Sequence, residues 1–116
     1  MRLMVVGFGV VGRSSVKVLC ERREDLKRKF GLNPKVVAII DINGALVDSR
    51  GLSQEILLRA TDRSAKIEDF GNAFNPEAKL QDLLSELDCE VMIETTPTNL
   101  STGQPGLDHL KLAMKS

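Results

Sequence analysis

Residues 5–15 read VVGFGVVGRSS, with glycines at 7, 9 and 12 set between an apolar run and a segment of helical periodicity. The run RLMVVG offers no polar face to water, so it predicts a short strand buried on both sides and stopped at Gly7. A buried strand that turns at once into a helix leaves few folds open. The helix must pack back over the sheet, and the chain must then return for a neighbouring strand.

The rest of the chain repeats that alternation. From Gly12 to about Phe30, Val16, Leu19, Cys20, Leu26 and Phe30 fall mostly on one stripe, predicting one long helix. Gly31 is its candidate C-cap and Pro34 the following breaker. The acids and bases of ERREDLKRKF sit at i, i+4 spacing, as Glu24–Arg28 and Asp25–Lys29, and read as a solvated helix face. KVVAIID, residues 35–41, is a second buried strand rich in β-branched residues. INGALVDSRGL reads as a loop. SQEILLRATDR follows as a short helix with Ser53 as N-cap.

Residues 64–75 are ambiguous, with a short strand conceivable around residues 65–67. PEAKLQDLLSEL, residues 76–87, predicts a helix opened by proline, CEVMIET a third buried strand, and PGLDHLKLAMK a closing amphipathic helix. Strand and helix alternating three times is the pattern of an α/β, doubly wound parallel sheet of Rossmann type, read here as one domain over 1–116 and as incomplete, since such a fold continues into further strands.

The glycine spacing Gly-x-Gly-x-x-Gly, placed directly after a strand and opening a helix, is the arrangement that cradles a pyrophosphate. Gly7 permits the sharp turn, Gly9 lets backbone approach a phosphate, and Gly12 lets the helix pack on the strand. The helix start adds N–H groups without intrahelical partners and a partial positive charge. The alternative is a purely structural turn. Asp41 ends the second strand, where a ribose diol needs an acceptor, although 29 residues separate it from Gly12, more than the usual ~20. An acid there can equally cap a turn.

Its carboxylate favours NAD over a 2′-phosphate, Ile42 leaves no adjacent arginine, and Arg50 is the candidate to swing in for NADP. Thr95 and Thr96 close the third strand, where an open parallel sheet binds its ligand. They are candidates for the nicotinamide ribose and amide, against a plain Thr/Pro/Asn turn.

Net charge is zero, with 16 basic and 16 acidic residues, which removes the electrostatic case for nucleic acid or an anionic membrane. No apolar run reaches the ~18–20 residues of a membrane span. Cys20 and Cys89 lack metal-ligand spacing and read as buried thiols of a reducing cytoplasm. His109 falls opposite Leu107 and away from Leu110 and Met114, and is expected at the surface.

The stretches GFGVVGR, VVAIIDINGALVDSRGL and EVMIETTPTNLSTGQPGLDHLKLAM together resemble the N-terminal half of homoserine dehydrogenases, over nearly the whole chain apart from residues 60–88. The resemblance implies an enzyme that interconverts L-aspartate 4-semialdehyde and L-homoserine by hydride transfer with NAD or NADP, on the route to threonine and methionine. By position, Phe8, Gly9, Val10 and Val11 would line the pyrophosphate and nicotinamide side, with Asp41 on the adenosine ribose and Thr95 and Thr96 on the nicotinamide ribose.

That family continues into a strand with an Asn-Lys motif, then a domain that supplies catalytic residues and assembles the oligomer. Neither lies within these 116 residues, and Lys111 and Lys115 do not match. No catalytic residue is therefore expected here, and the chain by itself should bind cofactor without turnover. Other readings are a nucleotide-sensing module, an S-adenosylmethionine-dependent methyltransferase, and a related dehydrogenase such as aspartate semialdehyde dehydrogenase.

Overall fold

A computed structural model describes residues 1–96 and 103–115. Its elements are β1 (Arg2–Val6), α1 (Val10–Glu21), α2 (Arg23–Phe30), β2 (Lys35–Asp41), β3 (Gly44–Val47), α3 (Gln54–Ala60), β4 (Phe74–Asn75), α4 (Leu80–Glu86), β5 (Val91–Glu94) and α5 (Gly106–Lys115), with two 3₁₀ turns at Ile67–Asp69 and Gly71–Ala73. The five strands form one sheet in the order β4-β3-β2-β1-β5. β1 pairs parallel with both β2 and β5, while β3 and β4 add antiparallel to the β2 edge.

Period-2 alternation divides the sheet between two cores. Leu3 and Val5 face Val16 of α1, Leu57 and Ala60 of α3, and Ile67. Met4 and Val6 face Leu80 and Leu83 of α4, with Leu112 of α5 packed alongside. β2 keeps both faces apolar with the help of a register shift. Leu3 pairs with Val36 and Met4 with Ala38, so Val37 is the extra residue and the sequence changes face there.

Several local expectations need correction. The long helix divides at Arg22, whose φ of −99° and ψ of 7° end α1 and begin α2. α2 buries none of its residues, and Phe30 is 69% exposed rather than part of the core. REDLKRK holds one apolar side chain, too few to hold a helix on the sheet. Its charges pair at i, i+3, with Asp25 reaching Arg22 at 3.4 Å and Arg28 at 2.9 Å, not as the i, i+4 pairs expected.

Residues read as a loop contain β3. Asp41 pairs with Gly44 across a two-residue turn, and Ala45 and Leu46 are fully buried against β2. A four-residue strand is too short for alternation to register it. The helix expected over 76–87 begins only at Leu80, because the Asn75 side chain accepts from Glu77 N–H and forms a turn first.

Other signals hold. Ser53 caps α3 by accepting from Ile56 N–H at 3.2 Å, and Gly31 takes the left-handed conformation at φ 64°. Truncating Leu46 to Ala should cost about 2–5 kcal/mol in denaturant unfolding, whereas Phe30→Ala should stay within about 0.5 kcal/mol.

Candidate functional site

The glycine turn is tied to both neighbouring strands. Gly7 N–H donates to Ile40 O of β2 at 2.7 Å, and its φ of +89° suits glycine alone. A Cβ there would stand 2.6 Å from Thr96 N, so the β5 end lies directly on Gly7. A Cβ on Gly12 would meet Gly7 O at 2.3 Å and Thr95 Oγ1 at 3.0 Å. Those two glycines are demanded by protein packing.

Gly9 differs. A Cβ built on it meets nothing within 4 Å, so no protein atom requires glycine at this position. Gly9 is the N-cap of α1, no side chain caps the helix, and its first turn carries no acid. The first-turn N–H groups and the positive end of the dipole are left for an outside anion.

Beside Gly9 opens a hollow of about 690 Å³ lined by Val10, Arg13, Lys17, Thr61 and Arg63. Arg13 is its fixed cation. It stacks 4.8 Å over the Phe8 ring, donates to Ala65 O at 2.8 Å and to Phe8 O at 3.4 Å, and leaves its buried Nε unpaired. Phe8, 6% exposed, therefore supports Arg13 instead of lining the surface, while Val10 and Val11 stand 78% and 63% exposed on the first turn. Arg13 was missed in the sequence although it directly follows Gly12.

Asp41 ends β2 next to this turn. Its Oδ1 accepts Asn43 N–H at 2.7 Å, so it caps the β2–β3 turn with one oxygen. Burial pushes its carboxyl above the usual aspartate value, against the lowering pull of the Asn43 amide, and Arg13 is close enough to act on it electrostatically. Ile42, 99% exposed, projects beside it.

Arg50 is not brought to this site. It lines a separate cavity with Lys35, at the opposite end of β2 and about 20 Å from Asp41 along the strand. Its guanidinium pairs with Asp48 at 3.4 Å.

The β5 end is built from hydrogen bonds. Thr95 Oγ1 donates to Gly7 O at 2.7 Å, with Val6 O at 3.1 Å, and Thr95 N–H donates to Val6 O at 2.7 Å. Thr96 donates its hydroxyl to Glu94 Oε1 and its N–H to the same oxygen at 2.8 Å. Both hydroxyl protons thus serve the scaffold.

His109 is not the surface residue expected. Its Nδ1 lies 2.6 Å from Glu94 Oε2, with the two side chains 22% and 14% exposed. α5 turns Gly106, His109, Leu112 and Ala113 inward and leaves Leu107, Leu110 and Met114 exposed. Counting apolar side chains picks the other stripe, because it gives no weight to the Glu94–His109 contact or to Leu112 against the α4 cluster. Lys111 and Lys115 lie on the exposed side.

Both thiols are free and half-buried, and burial raises each above its ordinary value. Among the described residues no cluster of His, Cys, Asp and Glu could hold a metal ion, and no helix is long and apolar enough to cross a membrane.

A parallel β2-β1-β5 core, a glycine turn against an uncapped helix and an acid closing β2 define a Rossmann-type domain of the dinucleotide-binding class. Residues 1–99 match the model of the Glutamate/Leucine/Phenylalanine/Valine dehydrogenase family, and the chain belongs to that family.

Its relatives include the homoserine dehydrogenase of Methanocaldococcus jannaschii, 33% identical over 116 residues, which are all of this chain and 34% of that protein. The NAD(+)-dependent homoserine dehydrogenase of Pseudomonas canavaninivorans is 24% identical over 115 residues, 98% of this chain and 32% of that one. A solved hyperthermophilic archaeal homoserine dehydrogenase in complex with NADPH superposes with a TM-score of 0.71 at 21% identity, over 97% of this chain and 32% of that one. The chain spans about a third of the length of these relatives.

Gly12→Ala should lower unfolding stability by about 1–3 kcal/mol or more, because the clash is with backbone. Gly9→Ala should cost less than about 1 kcal/mol. Thermal or urea unfolding of the two variants checks the contrast.

Proposed function

We propose that this chain is the NAD(P)-binding part of a homoserine dehydrogenase, which interconverts L-aspartate 4-semialdehyde and L-homoserine in threonine and methionine biosynthesis. The observation that carries the reading is Gly9. It heads an uncapped helix, beside three cations, with space that protein packing does not explain.

In this reading the N–H groups at the start of α1 bind the pyrophosphate, with Arg13, Lys17 and Arg63 adding positive field. The Asp41 carboxylate accepts from the adenosine ribose, and Ile42 offers an apolar surface to the adenine. Thr95 and Thr96 fix the wall on the nicotinamide side. The nicotinamide ring, when bound, supplies or accepts the hydride at C4. The residues of this chain bind and orient, and the substrate-binding and proton-transferring groups belong to the remainder of such an enzyme, which assembles as a homo-oligomer in the cytoplasm.

NAD is the preferred cofactor of the two. The Asp41 carboxylate opposes a 2′-phosphate, and the arginine expected to offset it, Arg50, lies at the far end of β2. The cations near Gly9 face the pyrophosphate common to both cofactors.

Titration by calorimetry or NADH fluorescence should show binding of NADH, weaker binding of NADPH, and none of S-adenosylmethionine. Gly9→Val should weaken NADH binding at least about tenfold while changing unfolding little. Absence of dinucleotide binding by the wild-type protein would refute the reading.

Affinity should also depend on pH in a defined direction. Ribose hydroxyls need the ionised Asp41, whose carboxyl is raised by burial, so NADH affinity should fall on acidification at a higher pH than for an ordinary aspartate. Asp41→Asn should be weaker throughout and lack that limb. The same raised carboxyl makes protonation favour the folded state, so the affinity loss would not be acid unfolding at this residue.

A further inference from the structure

The closing helix carries the chain's one histidine, and it is held by a carboxylate at the rim of the crevice. Glu94, the last residue of β5, uses both oxygens. Oε1 accepts the N–H and hydroxyl of Thr96, and Oε2 faces His109 Nδ1 at 2.6 Å. An ionised carboxylate has no proton to give, so Nδ1 carries the hydrogen and donates it. One side chain therefore joins the first turn of α5 to the backbone that follows β5. Thr96 in turn lies directly against Gly7.

The strand order gives this junction a side. β2 and β5 flank β1, so their carboxyl ends stand on opposite sides of the glycine turn, about 10 Å apart. With the adenosine ribose at Asp41 on β2, the other half of a dinucleotide crosses β1 to the end of β5.

We infer that Glu94 and His109 are positioning residues which hold the Thr95–Thr96 wall in place and so set affinity for the nicotinamide half of the cofactor, not the adenine half. The inference rests on the dinucleotide-binding reading above. Glu94→Met removes both acceptor oxygens at nearly the same length and so takes away the group that Thr96 and His109 share. His109→Leu removes the donor, whereas His109→Asn restores a side-chain N–H near the position of Nδ1.

The test compares dissociation constants of NADH and of ADP, which lacks the nicotinamide half, on the protein in its full native length. Glu94→Met and His109→Leu should weaken NADH about tenfold and leave ADP within about twofold, and His109→Asn should recover most of the NADH affinity. A merely structural pair would move both ligands together. Equal losses for NADH and ADP, or no loss for NADH, would overturn the inference while leaving the dinucleotide reading standing. A wild-type protein that binds neither ligand would remove that reading and this one with it. If Glu94→Met does not fold, the His109→Leu and His109→Asn pair decides the question alone.

Discussion

Much of the structure follows from how closely α1 approaches the end of β1. Glycine at 12 lets the helix backbone come down on Gly7 O, where a methyl group would stand 2.3 Å away. That contact aims the start of the helix at the carboxyl ends of the strands. Gly7 completes the junction by donating to Ile40 of β2 and lying under Thr96 of the β5 end. Three strands and a helix terminus converge on two small residues, and a concave surface with exposed N–H groups results.

The chemistry of that surface is divided by strand order. The β2 side offers a carboxylate and an exposed apolar residue, Asp41 and Ile42, while the β5 side is a wall of satisfied hydrogen bonds. Between them lie the helix start and a fixed arginine on an aromatic ring. Such a sequence of acceptor, positive cradle and rigid wall matches a ligand with a diol at one end, a diphosphate in the middle and a second nucleoside beyond. Thr95 and Glu94 spend their hydrogen bonds on the protein itself, and Arg13 is fixed by two carbonyls and the Phe8 ring.

What the sequence revealed depended on whether a signal was local. The Gly-x-Gly-x-x-Gly turn, β1, β2, β5, the cap at Ser53 and the terminator at Gly31 are set by neighbours a few residues away, and all are visible in the string. β3 was hidden because it is short and is stabilised by pairing with β2, which periodicity cannot record. The division of the first helix was hidden because charged residues continue a helical pattern without any face to bury. The inward face of α5 escapes periodicity for another reason: its partners, Glu94 and the α4 cluster beside Leu112, lie far off in sequence. Arg50 looked close to Asp41 in sequence, yet the β2–β3 hairpin carries it back to the other end of the strand.

In the proposed function a diphosphate rests on the amino end of α1, with its sugar held at Asp41. Backbone amide shifts of the ¹⁵N-labelled protein, followed during titration with NADH, test this most directly. The largest changes should fall at Gly9, Val10 and Val11, with further changes at Asp41 to Asn43, and none around Arg50 to Leu52. Changes centred on the Arg50 cavity, with the amides of Gly9 to Val11 unmoved, would contradict it.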